Sequence, residues 1–192
     1  MGELTDAVGT AGTTLVCAPS MGTDSGCLEF LSTADEDTTV LWVTFTRSPS
    51  ACIEQYRAAE TADGASLSVI AVGDTANGAT TDGDVTVQTV STPEDLTGLG
   101  ITLSQTLSDH EDIVLCFDSL TVLLQYVDHE TAYEFLNAVT GHLYATNTPA
   151  HFHLDPSAHD RHAIDALASL FDAVAERTDG GWSVRTRDLL RA

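Results

Sequence analysis

The chain has 192 residues, 43% of them hydrophobic, which is enough for one domain with a sizeable core. Its 29 acidic residues face seven basic ones, all arginine, for a formal net charge of -22. A chain without lysine and so poor in positive charge is excluded as a direct binder of nucleic-acid backbones and disfavoured on anionic membranes, while self-repulsion of this size relaxes when salt shortens screening to roughly 3 Å at 1 M.

The composition therefore points to a protein at home in concentrated salt. No stretch reaches the ~20 apolar residues of a membrane span, and the first residues lack the positive start and apolar core of a signal peptide, so the expected location is cytoplasmic. In chain order, residues 1–12 read as a flexible leader and 13–192 as one α/β domain. A strand is expected over 14–18, then a strand over 40–46 and a helix over 49–60 started by Ser48. Strands over 67–72 and 85–90 flank the segment 74–84, whose Gly, Asn, Asp and Thr residues offer no apolar anchor and read as a mobile loop. A helix over 94–108 begins near Thr92, a strand runs over 113–117, and a helix over 130–145 starts at Asp128 or His129. A strand over 150–154, a helix over 160–177 and an antiparallel edge strand over 182–186 complete the pattern.

Alternating strands and helices predict a three-layer sandwich with a mostly parallel central sheet, and the strands apolar on both faces agree with helices covering both sides. Cys17, Cys27, Cys52 and Cys116 are widely spaced without a CxxC pair. They read as buried reduced thiols and exclude a four-cysteine zinc site.

The most informative run is Ile113-Val114-Leu115-Cys116-Phe117-Asp118, a buried strand that ends in an acid and is followed by Ser119. Ligands in open α/β sheets bind outside the carboxyl ends of strands, and an apolar strand ending in Asp is how a Walker B element aims a carboxylate at magnesium. The commoner use of such an Asp is to cap the next helix. From Asp118 to Asp128 the sequence DSLTVLLQYVD resembles the Walker B region of the RecA superfamily, in particular its KaiC-like branch of halophilic archaeal type. Strands 40–46 and 150–154 are also similar to that family's, and the segment from Thr14 to Ser25 stands where its phosphate-binding loop GxxxxGK[ST] belongs.

The resemblance implies a RecA-like fold and a nucleotide site at Ser20, Gly22, Asp24, Ser25, Asp118 and Ser119. Two departures bear on its chemistry. Ala18 replaces the first loop glycine, and Thr23-Asp24-Ser25 puts a carboxylate where the family has its lysine. A phosphate loop works through wrapped backbone N–H groups and that lysine's ammonium. The second strand ends Phe45-Thr46-Arg47-Ser48, where the family carries acidic residues that activate water, and neither Thr nor Arg is a general base at neutral pH. Arg47 is the one cation expected near the mouth. Asp118 is expected at the carboxyl edge of the sheet, close to the turn after Ala18, with no basic side chain near both.

A second constellation is His151, His153, Asp155, His159 and His162 in the run HFHLDPSAHDRH. Alternate residues of a strand share a face, so His151, His153 and Asp155 can converge. The run resembles the HxHxDH motif of metallo-β-lactamase-type hydrolases, although His159 falls three residues too late for it. The simpler expectation is that His151 and His153 are hydrogen-bonded polar residues at a strand end while Asp155 caps the following turn.

The sequence thus reads as a non-catalytic RecA/KaiC-like regulatory or signalling module without a cofactor, acting through a protein partner or self-association. The alternatives are an ATPase that uses ATP with Mg2+ through an atypical loop, and a metal-dependent hydrolase built on His151, His153, Asp155 and His159.

Overall fold

In the computed structural model, which describes residues 3–19, 27–31, 34–35, 37–58, 65–76 and 85–187, the double-sided apolar runs become the middle of an eight-stranded sheet. The strands are β1 (Thr13–Cys17), β2 (Thr39–Thr44), β3 (Ser66–Val72), β4 (Val85–Val90), β5 (Ile113–Asp118), β6 (Ala150–Leu154), β7 (Ala173–Thr178) and β8 (Gly181–Thr186), in the order β4-β3-β2-β5-β6-β1-β7-β8. Every pairing is parallel except β7 with β8, which closes one edge as an antiparallel hairpin. The parallel strands therefore present their carboxyl ends along one edge.

Helices cover both faces, as the apolar strands require. On one face α4 (Leu96–Asp109), α5 (Leu120–Tyr126), α6 (His129–Ala145) and α7 (Arg161–Ala168) pack on Leu15, Leu41, Leu115, Phe117 and Phe152. On the other, α2 (Cys27–Leu31) and α3 (Pro49–Ala58) cover Val40, Trp42, Val69 and Cys116. There α1 (Glu3–Val8) closes over Val16, Ala173 and Ala175. Among the described residues no helix is long and apolar enough to cross a membrane.

Three sequence expectations are corrected. Residues 1–12 are not a loose leader throughout, because α1 buries Leu4 completely and Glu29 of α2 accepts the backbone N–H groups of Leu4 and Thr5. The helix expected over 160–177 stops at Ala168, and the chain turns into β7. Ile164, Leu167, Phe171 and Val174 do repeat at helical spacing, yet Ala173–Thr178 gains ladder hydrogen bonds on both sides, from β1 and from β8. Tertiary pairing overrides local periodicity there, and Asp172 fixes the start of the strand by accepting the Thr13 N–H at 2.9 Å and its hydroxyl at 3.0 Å. Lastly, Cys116 is disulfide-bonded, while Cys17 and Cys52 are free thiols as expected. Burial pushes both of these up to about 12, so they are unreactive at neutral pH.

Ser48 accepts the Ala51 N–H, and Asp128 caps α6 through the Thr131 N–H, as read from the sequence. Helix α4 starts instead at Asp95, whose carboxylate accepts the Gly98 N–H at 2.8 Å. Of the loop expected over 74–84, residues 77–84 lie outside the described residues.

Candidate functional site at the carboxyl edge

The ends of β1, β2, β5 and β6 surround a cleft of about 410 Å³. Its lining includes Ala18 and Pro19 after β1, Thr46 and Arg47 after β2, Asp118 and Ser119 at the end of β5, and His153 and Asp155 from β6 and beyond. Backbone bonds tie these ends together: the Ala18 N–H donates to Leu154 O at 3.1 Å, and the Phe45 N–H to Asp118 O at 2.7 Å. The Asp155 N–H donates to the buried Thr121 hydroxyl at 2.7 Å, which locks the exit of β6 to α5.

Asp118 lies at the carboxyl edge beside the turn after Ala18, as expected. The expectation that no basic side chain stands near both is wrong. Arg47 lines the same cleft and places Nε 3.6 Å from Asp118 Oδ2. The chain turns sharply after β2 because the Thr44 hydroxyl accepts the N–H groups of Thr46 and Arg47, and that turn points both side chains back at β5. The Thr46 hydroxyl then donates to Asp118 Oδ2 at 2.8 Å. Asp118 does not cap a helix. Ser119 does, accepting the Val122 N–H at 3.3 Å at the start of α5.

The expected positions Ser20, Gly22, Asp24 and Ser25 lie outside the described residues, so of the six nucleotide-site candidates the structure describes Asp118 and Ser119, side by side at the cleft. The four metal candidates separate. His151 and His153 project from β6 onto the face beneath α2, where they meet Cys116. Asp155 instead accepts the N–H and hydroxyl of Ser157, capping the turn Pro156–Ala158, and His159 sits edge-on to His129 with ring centroids 6.5 Å apart.

Nor are His151 and His153 satisfied polar residues. Both ring nitrogens of His151 and Nε2 of His153 are buried without a hydrogen-bond partner. Burial, with a smaller push from His153, holds His151 well below the usual imidazole range. Burial also lowers His153, to about 4, against the attraction of Asp118 and with help from Arg47. Sequence reasoning missed Cys116 as their neighbour because only the β5–β6 register, which sets Cys116 opposite His151, joins them.

The fold and the cleft define an α/β sandwich domain whose central strand delivers an acid to the carboxyl edge. The chain belongs to a family of unknown function, DUF7504, whose model matches residues 11–177. No curated protein matches it. Among solved structures it is similar to a protein of Pyrococcus horikoshii OT3, with a TM-score of 0.63 at 14% identity over 98% of this chain and 93% of that one. That likeness establishes the fold alone.

Proposed function

We propose that the chain is a non-catalytic, RecA/KaiC-like regulatory or signalling module that works in the cytoplasm through contacts with a protein partner or a second copy of itself. The observation that carries this reading is the engagement of Asp118. The carboxylate oxygen that would meet magnesium in an active relative already accepts the Thr46 hydroxyl and faces Arg47.

Charge supports the same conclusion. Among the described residues, the charged side chains lining the cleft are Arg47 and the two acids Asp118 and Asp155, so acids outnumber cations there. At an effective dielectric of about 20, a like charge ~4 Å from a phosphate costs about 4 kcal/mol. With no lysine in the chain, this protomer has only arginine to offset that cost. The end of β2 offers Thr46 and Arg47 where hydrolysis needs a proton acceptor.

A second reading, ATP with Mg2+ on Asp118 and Ser119, draws on the size of the cleft and on Arg47 at its mouth. Calorimetric titration with MgATP in molar KCl separates the two. The regulatory reading expects no magnesium-dependent binding at micromolar nucleotide. Micromolar affinity that disappears in Asp118→Asn would overturn it in favour of the second.

A further inference from the structure

Next to the cleft floor, on the face under α2, the sheet builds a cluster that the cleft chemistry does not use. His151 on β6 stands opposite Cys116 on β5, and His153 follows two residues on, on the same face. The Cys116 sulfur and one ring nitrogen from each histidine all lie within 4.8 Å of one another. The two histidines are only 1% and 7% exposed, and three of their four ring nitrogens have no hydrogen-bond partner. Leaving a buried polar group unpaired costs ~1–3 kcal/mol, so a pair of such imidazoles is expensive unless something binds them.

The rings are also held in place. Phe30 of α2 stacks on His151 with centroids 4.4 Å apart and planes 18° from parallel, and His153 meets His151 edge-on at 5.2 Å. A neutral imidazole offers one ring nitrogen's lone pair to a metal, and metal binding requires that form.

We infer that Cys116, His151 and His153 form a site for a thiophilic divalent ion of the zinc class, available when Cys116 is a free thiol. One thiolate and two imidazoles are a donor set suited to zinc or cobalt, whereas magnesium and calcium require oxygen ligands. Zinc bonds of about 2.0–2.3 Å need the three donor atoms to close in by roughly 1 Å.

The disulfide on Cys116 is the form of the protein that lacks this ligand. Reduction by a dithiol opens it: the dithiol's sulfurs join in a new disulfide, and its two hydrogens pass to the two released cysteine sulfurs. On metal binding the Cys116 thiol gives its proton to solvent and its sulfur to the ion. Disulfide and metal thus compete for one sulfur, and the site reports the thiol redox state of its surroundings.

The test uses the full chain in molar KCl, reduced with a phosphine, stripped with a chelator and titrated with Co2+. The inference expects one Co2+ per chain with a thiolate-to-cobalt charge-transfer band and tetrahedral visible absorption, both erased by an equivalent of Zn2+. The oxidised chain should give neither signal. Cys116→Ser should abolish the charge-transfer band, the Cys17→Ser/Cys52→Ser double variant should retain it, and His153→Gln should weaken Co2+ binding at least tenfold, with circular dichroism verifying the fold of each. If Cys116→Ser does not fold, the reduced wild-type chain and His153→Gln decide the matter. A reduced chain with no band, a band that survives Cys116→Ser, or unchanged affinity in His153→Gln overturns the inference.

Discussion

His153 joins the two features of the carboxyl edge, lining the cleft with one side and the Cys116 cluster with the other. Its depressed proton affinity has a consequence for stability. Between its ordinary value of 6.5 and its folded value of about 4 the unfolded chain binds a proton that the folded chain refuses. Stability is therefore full above about pH 6.5 and is lost as the pH falls towards 4, at up to ~1.4 kcal/mol per pH unit for one histidine. The whole interval amounts to roughly 3 kcal/mol, and His151 adds a loss of the same sign. Urea denaturation of the chelator-stripped protein in molar KCl should show the midpoint falling across that interval, with a shallower fall in His153→Gln. Equal slopes in the two proteins would mean that His153 is not held neutral by burial.

At the scale of elements, α1 is the clearest departure from sequence reasoning. Burying a leucine side chain contributes about 1.5–3 kcal/mol, and truncating one in a packed site costs about 2–5 kcal/mol. Leu4→Ala should therefore lower stability by about 2–3 kcal/mol in thermal or urea unfolding, whereas a loose leader would leave it unchanged. Helix α1 was illegible because Leu4 and Val8 alone do not make an amphipathic pattern; their partners are Val16 and, more than 150 residues further along, Ala173 and Ala175. The strands β4 and β6 and the acid at the end of β5 were legible, since VTVQTV and AHFHL alternate apolar with polar residues over a strand's length and IVLCFD is an apolar run ending in Asp. Strand β7 was not, because Val174 carries the helical repeat of Ile164, Leu167 and Phe171 forward from α7 and only the ladders with β1 and β8 decide against it. The contact of Arg47 with Asp118 was hidden for a related reason. It depends on β2 lying beside β5 and on the Thr44 turn, neither of which a local pattern encodes.

The whole molecule carries a net charge of -22 on 192 residues, and four of its few cations are already engaged. Arg47 faces Asp118, Arg161 bridges Asp165 and Glu176, Arg185 pairs with Glu176, and Arg177 lies over the Trp182 ring. With 29 acidic residues against seven arginines, most carboxylates depend on solvent ions to screen them. Lowering KCl from 1 M to 0.1 M lengthens screening from about 3 Å to about 10 Å, so the melting temperature should drop across a KCl series followed by circular dichroism. A melting temperature that does not respond to salt would remove the case for a protein adapted to brine.

The position of β1 in the sheet also bears on how the chain is made. It leaves the ribosome well ahead of its neighbours β6 and β7, which arrive about 135 and 160 residues later. Until then the apolar run Leu15-Val16-Cys17 has no strand to lie against. Closure of the sheet around β1 must wait until β6 and β7 have both been synthesised, so this pairing forms long after the strand that it joins.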